Sequence, residues 1–244
     1  MATVRDFFEY INSIAPIETQ EEWDNSGMLV GDMNAEVKKA VVVLDIDMWA
    51  VQKAIELGAD LIISHHPVIF RAMKKFTKGS VPFELASNSI NAICCHTPLD
   101  IADGGTNDAL AELLGFTAYK GENPILRFAD IKETSAEALA DLLAEKLSTK
   151  VRFADAGKKI SKVAICTGGG ASLIWEAGNV DAFITGDAKH NDFLDAVDSG
   201  ISLFAAGHYE TEFPVIPVVA EKLKTVFADV EIIDIKQENP VKFA

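Results

Sequence analysis

Two histidines stand side by side, His65 and His66, at the end of the apolar run in "LIISHHPVIF", in a chain that holds five histidines in all. Near neutral pH an imidazole serves as a base, a proton carrier or a metal ligand, so a doubled histidine is first a question of chemistry. Two further stretches add to it. "HTPLDIADGG" carries His96 and Asp100, and "GHYETE" sets His208 and Glu212 four residues apart, a spacing that places two side chains on one helical face. Three imidazoles (His65, His66, His208) and two carboxylates (Asp100, Glu212) are more than one tetrahedral zinc takes. They suit two divalent first-row ions sharing a carboxylate, an arrangement that activates water for hydrolysis. The plainer reading makes His208 and Glu212 a surface pair and leaves His65 and His66 lining a turn.

Side chains from three distant stretches meet only if the fold delivers them to one place. "KAVVVLDI" (39–46), "DLIIS" (60–64) and "NAICCHT" (91–97) read as buried strands. "MWAVQKAIELG", closed by Gly58, and "VPFELASNS" read as the helices between them. That alternation predicts a mainly parallel sheet, in which functional groups gather past the carboxyl ends of the strands, where His65, His66, His96 and Asp100 all fall. Pro67 keeps the second strand from running on. "MATVRDFFEYINSIAP" has apolar residues at helical spacing and Thr3 as a cap, so it predicts an amphipathic helix and no signal peptide.

"NDALAELLG" predicts a helix capped by Asn107, with Gly115 beyond its end. The polar connection 116–125 then separates a first lobe, 1–125, from a second, 126–244, whose C-terminal segment is open to packing back on the first. The second opens on a capping box at Thr134 and Glu137. Residues 162–187 repeat the shape of the first strand–helix–strand unit at an offset of 121, with Val163 over Val42 and Asp181 over Asp60. This points to two related α/β lobes with mixed sheets flanked by helices. Gly168, Gly169 and Gly170 read as a tight strand-to-helix turn, because no Gly-Lys-Ser/Thr follows to make a phosphate loop.

A formal charge of −15 argues against direct binding of nucleic acid or anionic lipid through a basic face, and suits cations. No apolar run is long enough to span a bilayer. The three cysteines (Cys94, Cys95, Cys166) are odd in number, with two adjacent in a strand, as expected of buried thiols in a reducing cytoplasm.

Taken in order, "EEWDNSGMLVGD", "DLIISHHPVIF", "HTPLDIADGGTND", "ITGDAKHND" and "GHYETE" resemble the NGG-interacting-factor-three-like family, whose bacterial members are filed as GTP cyclohydrolase I type 2 homologues. The resemblance runs from Trp23 to Glu212. It implies a two-lobed protein with a dinuclear metal site in the cleft between the lobes, usually assembled as a homohexamer. It also implies His65 and His66 as ligands of different ions, Asp100 and His208 as further ligands, and Glu212 as the bridging carboxylate. The two ions would be divalent: zinc, manganese, iron or nickel.

His96 reads as a residue behind the ligands, and Trp23, Asp24 and Asn25 as lining the cleft or making a turn around a packed indole. His190 departs from the paired histidine of many relatives, since Asn191 follows it, and is a candidate for substrate contact or proton transfer. The expected activity is metal-dependent hydrolysis of a nucleotide or similar small molecule held in the cleft. The alternative is a non-catalytic metal-handling or partner-binding scaffold.

Overall fold

The computed structural model describes residues 1–242. It opens on helix α1 (Val4–Ile14), where the Thr3 hydroxyl accepts the Asp6 N–H and the Asp6 carboxylate accepts the Thr3 N–H in return. Strands β1 (Gly27–Val30) and β2 (Lys39–Val43) follow. Helix α2 (Met48–Leu57) is capped by Asp47 and stopped by Gly58, whose φ of 66° is the left-handed turn that glycine makes without strain. Then come β3 (Leu61–Ser64), α3 (Val81–Ser87), β4 (Asn91–Cys94) and the short helix α4 (Thr97–Ile101).

The middle of the chain holds α5 (Thr106–Leu113), β5 (Tyr119–Lys120), β6 (Arg127–Thr134), α6 (Ala136–Leu147) and β7 (Arg152–Ala154). It continues through β8 (Ile160–Cys166), β9 (Ala182–Thr185), α7 (His190–Asp198), β10 (Ser202–Ala205) and the short helix α8 (His208–Glu212). Helix α9 (Val215–Val226) and β11 (Glu231–Asp234) close the chain.

These elements form two compact units. The first is Met1–Asp103 with Ile216–Glu238, and the second is Gly104–Val215 with the segment from Asn239 on. The first unit's sheet has the order β1-β4-β3-β2-β11, parallel except for β1. Every residue of β3 and β4 is buried, as expected of strands covered on both faces. Phe7 of α1 stacks on Phe227 just past α9, with ring centroids 3.9 Å apart. The second unit's sheet has the order β5-β6-β8-β9-β10-β7, with parallel β8, β9 and β10 at its centre and antiparallel strands outside. Both sheets are therefore mixed and helix-flanked.

The repeat seen in the sequence has a physical counterpart within each unit. The Asp60 carboxylate accepts the Lys38 and Lys39 N–H groups at the foot of β2, at 2.8 and 3.0 Å. The Asp181 carboxylate accepts those of Ser161 and Lys162 in β8, both at 2.9 Å. Each aspartate thus ties the end of a crossover to the start of the strand before it. Register corrects the alignment of the first strand. Ala40 lies opposite Leu61, and Val163 opposite Ala182, so Val163 matches Ala40 instead of Val42. The second crossover is shorter and carries a 3-10 turn at Gly170–Glu176 where the first has α2.

Three local expectations are also corrected. Gly105, not Asn107, caps α5; Asn107 is buried because its side chain accepts the Thr167 N–H and donates to the Ile125 carbonyl. Ser135, not Thr134, caps α6, since Thr134 is still paired in β6. The connection 116–125 contains the short strand β5.

Candidate metal centre

In the first unit the histidines leave the sheet where β3 and β4 end. His65 is buried, and its Nδ1–H donates to the Cys95 carbonyl at 3.1 Å. A carbonyl can only accept, so the proton must sit on Nδ1 and the Nε2 lone pair is left for a cation. His66 Nδ1 donates to Asp45 and His96 Nδ1 donates to Asp24, each at 2.8 Å. All three rings are oriented in the same way, which is how metal-binding imidazoles are normally held. One ligand atom from each of His65, His66 and His96 lies within 4.8 Å of the others. Asp100 Oδ1 stands 3.7 Å from His65 Nε2.

Asp24 anchors this corner. Besides holding His96 it accepts from the Ser26 hydroxyl and from the backbone N–H and hydroxyl of Thr97. Burial by itself would raise its carboxyl, but the hydrogen bonds from His96 and Thr97 outweigh that and hold it well below the usual carboxylate range. Behind His65 the lining is apolar, with Ile11, Ile63, Leu99 and Ile216 around it. Cys94 and Cys95 are buried there, and burial pushes both thiols up, so neither offers a thiolate.

In the second unit the equivalent strand end carries His208 and Glu212 on α8. His208 Nδ1 donates to Asp187 at 2.7 Å, and its Nε2 faces Glu212 Oε2 at 3.2 Å. An imidazole nitrogen and a carboxylate oxygen this close can serve together as two donors to one cation. Two donors on one first-row ion, each about 2.1 Å from it, lie roughly 3 to 4 Å apart. The His208–Glu212 and His65–Asp100 separations fit that spacing.

The glycine turn supports the same arrangement. A side chain at Gly168 would run into Glu212 Oε1 and stand 3.1 Å from His208 Nε2. The Gly168 carbonyl accepts the N–H groups of Gly186 and Asp187, so the loops after β8 and β9 are tied together around the pair. The triple glycine is thus a tight turn that leaves room for the side chains of His208 and Glu212.

His96 to Asp100 and His208 to Glu212 are both four-residue steps running from a strand end into a short helix, one in each unit. Sequence reasoning set His96 behind the ligands, whereas the structure places it beside His65 and His66. Trp23 is not a packed indole, being 58% exposed. His190 is exposed in the first turn of α7. Asp45 and Asp187 were not singled out, and Gly168 was read only as part of a turn. Asp45 and Asp187 each follow a parallel strand by two residues, and that position was the available signal.

Fold and donor set define an α/β protein bearing candidate histidine and carboxylate groups for a metal. The chain belongs to the Duf34/NIF3 (NGG1p interacting factor 3) family, whose model matches residues 2–240. It is 33% identical to a Clostridium perfringens protein named GTP cyclohydrolase 1 type 2 homolog, over 98% of this chain and 99% of that one. It is also 33% identical to a Helicobacter pylori protein named GTP cyclohydrolase 1 type 2, over 91% and 92% of the two chains. Among solved structures, Staphylococcus aureus protein SA1388 superposes with a TM-score of 0.92 at 26% identity, covering 100% of this chain and 99% of that one.

Proposed function

We propose that His65, His66, Asp100, His208 and Glu212 hold two divalent metal ions and that the protein is a metal-dependent hydrolase of a nucleotide or similar small molecule. The observation that carries this is the orientation of the imidazoles. His65, His66 and His208 each commit Nδ1–H to an acceptor, which leaves Nε2 as the coordinating atom. The mixture of nitrogen and carboxylate donors suits zinc, manganese, iron or nickel. When bound, such ions supply Lewis acidity and lower the pKa of water.

The chain's own groups do the rest. Asp45 and Asp187 hold His66 and His208 in orientation, and Gly168 leaves room for the Glu212 carboxylate beside His208. We assign proton transfer to His96, which Asp24 turns toward His65 and His66. The names of the two curated relatives support a nucleotide as substrate, and the family resemblance supports assembly as a homohexamer. The test is turnover of a panel of nucleoside triphosphates, pterin precursors and phosphoesters by protein loaded stepwise with each metal. Turnover that rises with loading and is lost in His66→Ala supports the hydrolase. Full metal loading with no turnover of any member contradicts it and favours a metal-handling role.

A further inference from the structure

The Trp-Asp-Asn stretch does more than turn the chain. Asp24 holds His96, and the Asn25 side chain donates to the Ile69 carbonyl, which fastens the 23–26 loop to the loop that follows His65 and His66. What this clamp leaves outward is aromatic. Trp23 is 58% exposed and Phe70 44% exposed. Their ring centroids lie 5.9 Å apart with the planes tilted by 57°, an open V and not a closed stack. Both rings reach the imidazole cluster, since Trp23 meets the edge of His96 at 5.8 Å and Phe70 does so at 6.2 Å.

Large apolar rings exposed together beside a polar centre are unusual, because burying them would be favourable, and they mark a place where something else covers them. Charge narrows what that is. Just beyond Phe70 the exposed loop carries Arg71, Lys74, Lys75 and Lys78, and no acidic residue stands between Asp60 and Glu84 in a chain of net charge −15. A flat ring offers its face to an indole, and cations take an anionic group.

We propose that Trp23 and Phe70 form the stacking subsite for the planar heterocycle of the substrate, and that the 71–78 loop takes its phosphate groups. The inference rests on the nucleotide hydrolase reading above for the identity of the site, and adds which residues grip which part of the ligand.

The test uses full-length protein carrying Trp49→Phe and Trp175→Phe, which leaves Trp23 as the sole indole of the three. GTP, guanosine and inorganic triphosphate are titrated at two salt concentrations, with chelator-stripped and metal-loaded protein. GTP and guanosine quench Trp23 emission and triphosphate does not, and only the GTP affinity falls with salt. By calorimetry on the otherwise native chain, Trp23→Ala weakens GTP about tenfold. Trp23→Tyr restores most of the loss, and metal content is unchanged in both. Equal GTP binding by Trp23→Ala, or triphosphate competing as well as GTP without quenching, overturns the subsite. A change of oligomeric state in Trp23→Ala with GTP affinity intact overturns it too, and makes the rings a self-association face. Quenching that persists in protein unable to bind metal supports the subsite while removing the hydrolase reading.

Discussion

At the scale of single residues, the histidine motifs stood out because histidine is rare and its spacing is informative, while the aspartates that meet their Nδ1 atoms did not, Asp24 having been read only as a cleft or turn residue. Asp24, Asp45 and Asp187 are three among many carboxylates, and only the fold shows that each meets an Nδ1. Asp187 gives the cleanest test, since its side chain is 64% exposed and its removal leaves no buried gap. Asp187→Ala weakens metal binding by about ten- to a hundred-fold through His208. Its unfolding free energy stays within about 0.5 kcal/mol of the parent, so titration calorimetry beside a urea melt separates the two effects.

Gly168 acts by having no side chain. Gly168→Ala puts a methyl group against Glu212 at a backbone φ of +61°. It is expected to cost about 1 to 3 kcal/mol of stability and to lower metal content even where the variant folds. A variant as stable and as metal-rich as the parent would show that the turn does not confine Glu212.

At the scale of elements, strands and helices followed from hydrophobic runs and glycine stops, as at α2 and Gly58. Caps were misplaced by one or two residues, because Asn107 and Thr134 have the right chemistry for a cap but are claimed by a tertiary hydrogen bond and a strand pairing. Arg127 escaped notice altogether. It is 1% exposed, with Nε donating to Asp108 Oδ1 at 2.6 Å and Nη1 to the Pro124 carbonyl. Hydropathy gives no reason to bury an arginine, so only the paired geometry explains it. Arg127→Ala leaves these acceptors in place without their donor and is expected to destabilise the second unit by about 3 to 5 kcal/mol, read from its urea midpoint.

Asp181 gives a pH signature at the same scale. Partial burial would raise its carboxyl, but the N–H groups of Ser161 and Lys162 and the Ser161 hydroxyl hold it below the ordinary value. A carboxyl lowered on folding adds stability above its unfolded pKa, about 3.9, and loses it as pH falls through the lower folded value. With solvent screening this amounts to roughly 1 kcal/mol. The gap in stability between parent and Asp181→Asn should be full at pH 7 and close as pH drops below about 4. A gap that stays constant to pH 3 would assign the effect to something other than ionisation.

At the scale of the whole molecule, the sequence carried the mixed α/β class, the repeat and the family. Its local patterns put the division at 125 and left the C-terminal segment open to packing back on the first lobe; in the fold Gly104–Val215 belongs to the second unit and Ile216–Glu238 to the first, where β11 pairs with β2. Strand pairing across about 190 residues leaves no trace in local periodicity. The proposed metal binding would act at this scale as well. Ions that bind only the folded chain stabilise it by about 2.7 kcal/mol at a hundred times their dissociation constant. The measurement closest to the central claim is metal content per chain by elemental analysis, on protein purified without chelator or histidine tag, beside a folded Glu212→Ala variant. The account predicts close to two ions per chain, falling sharply in the variant. Native protein that holds no metal after incubation with manganese, zinc and iron under reducing conditions would contradict it.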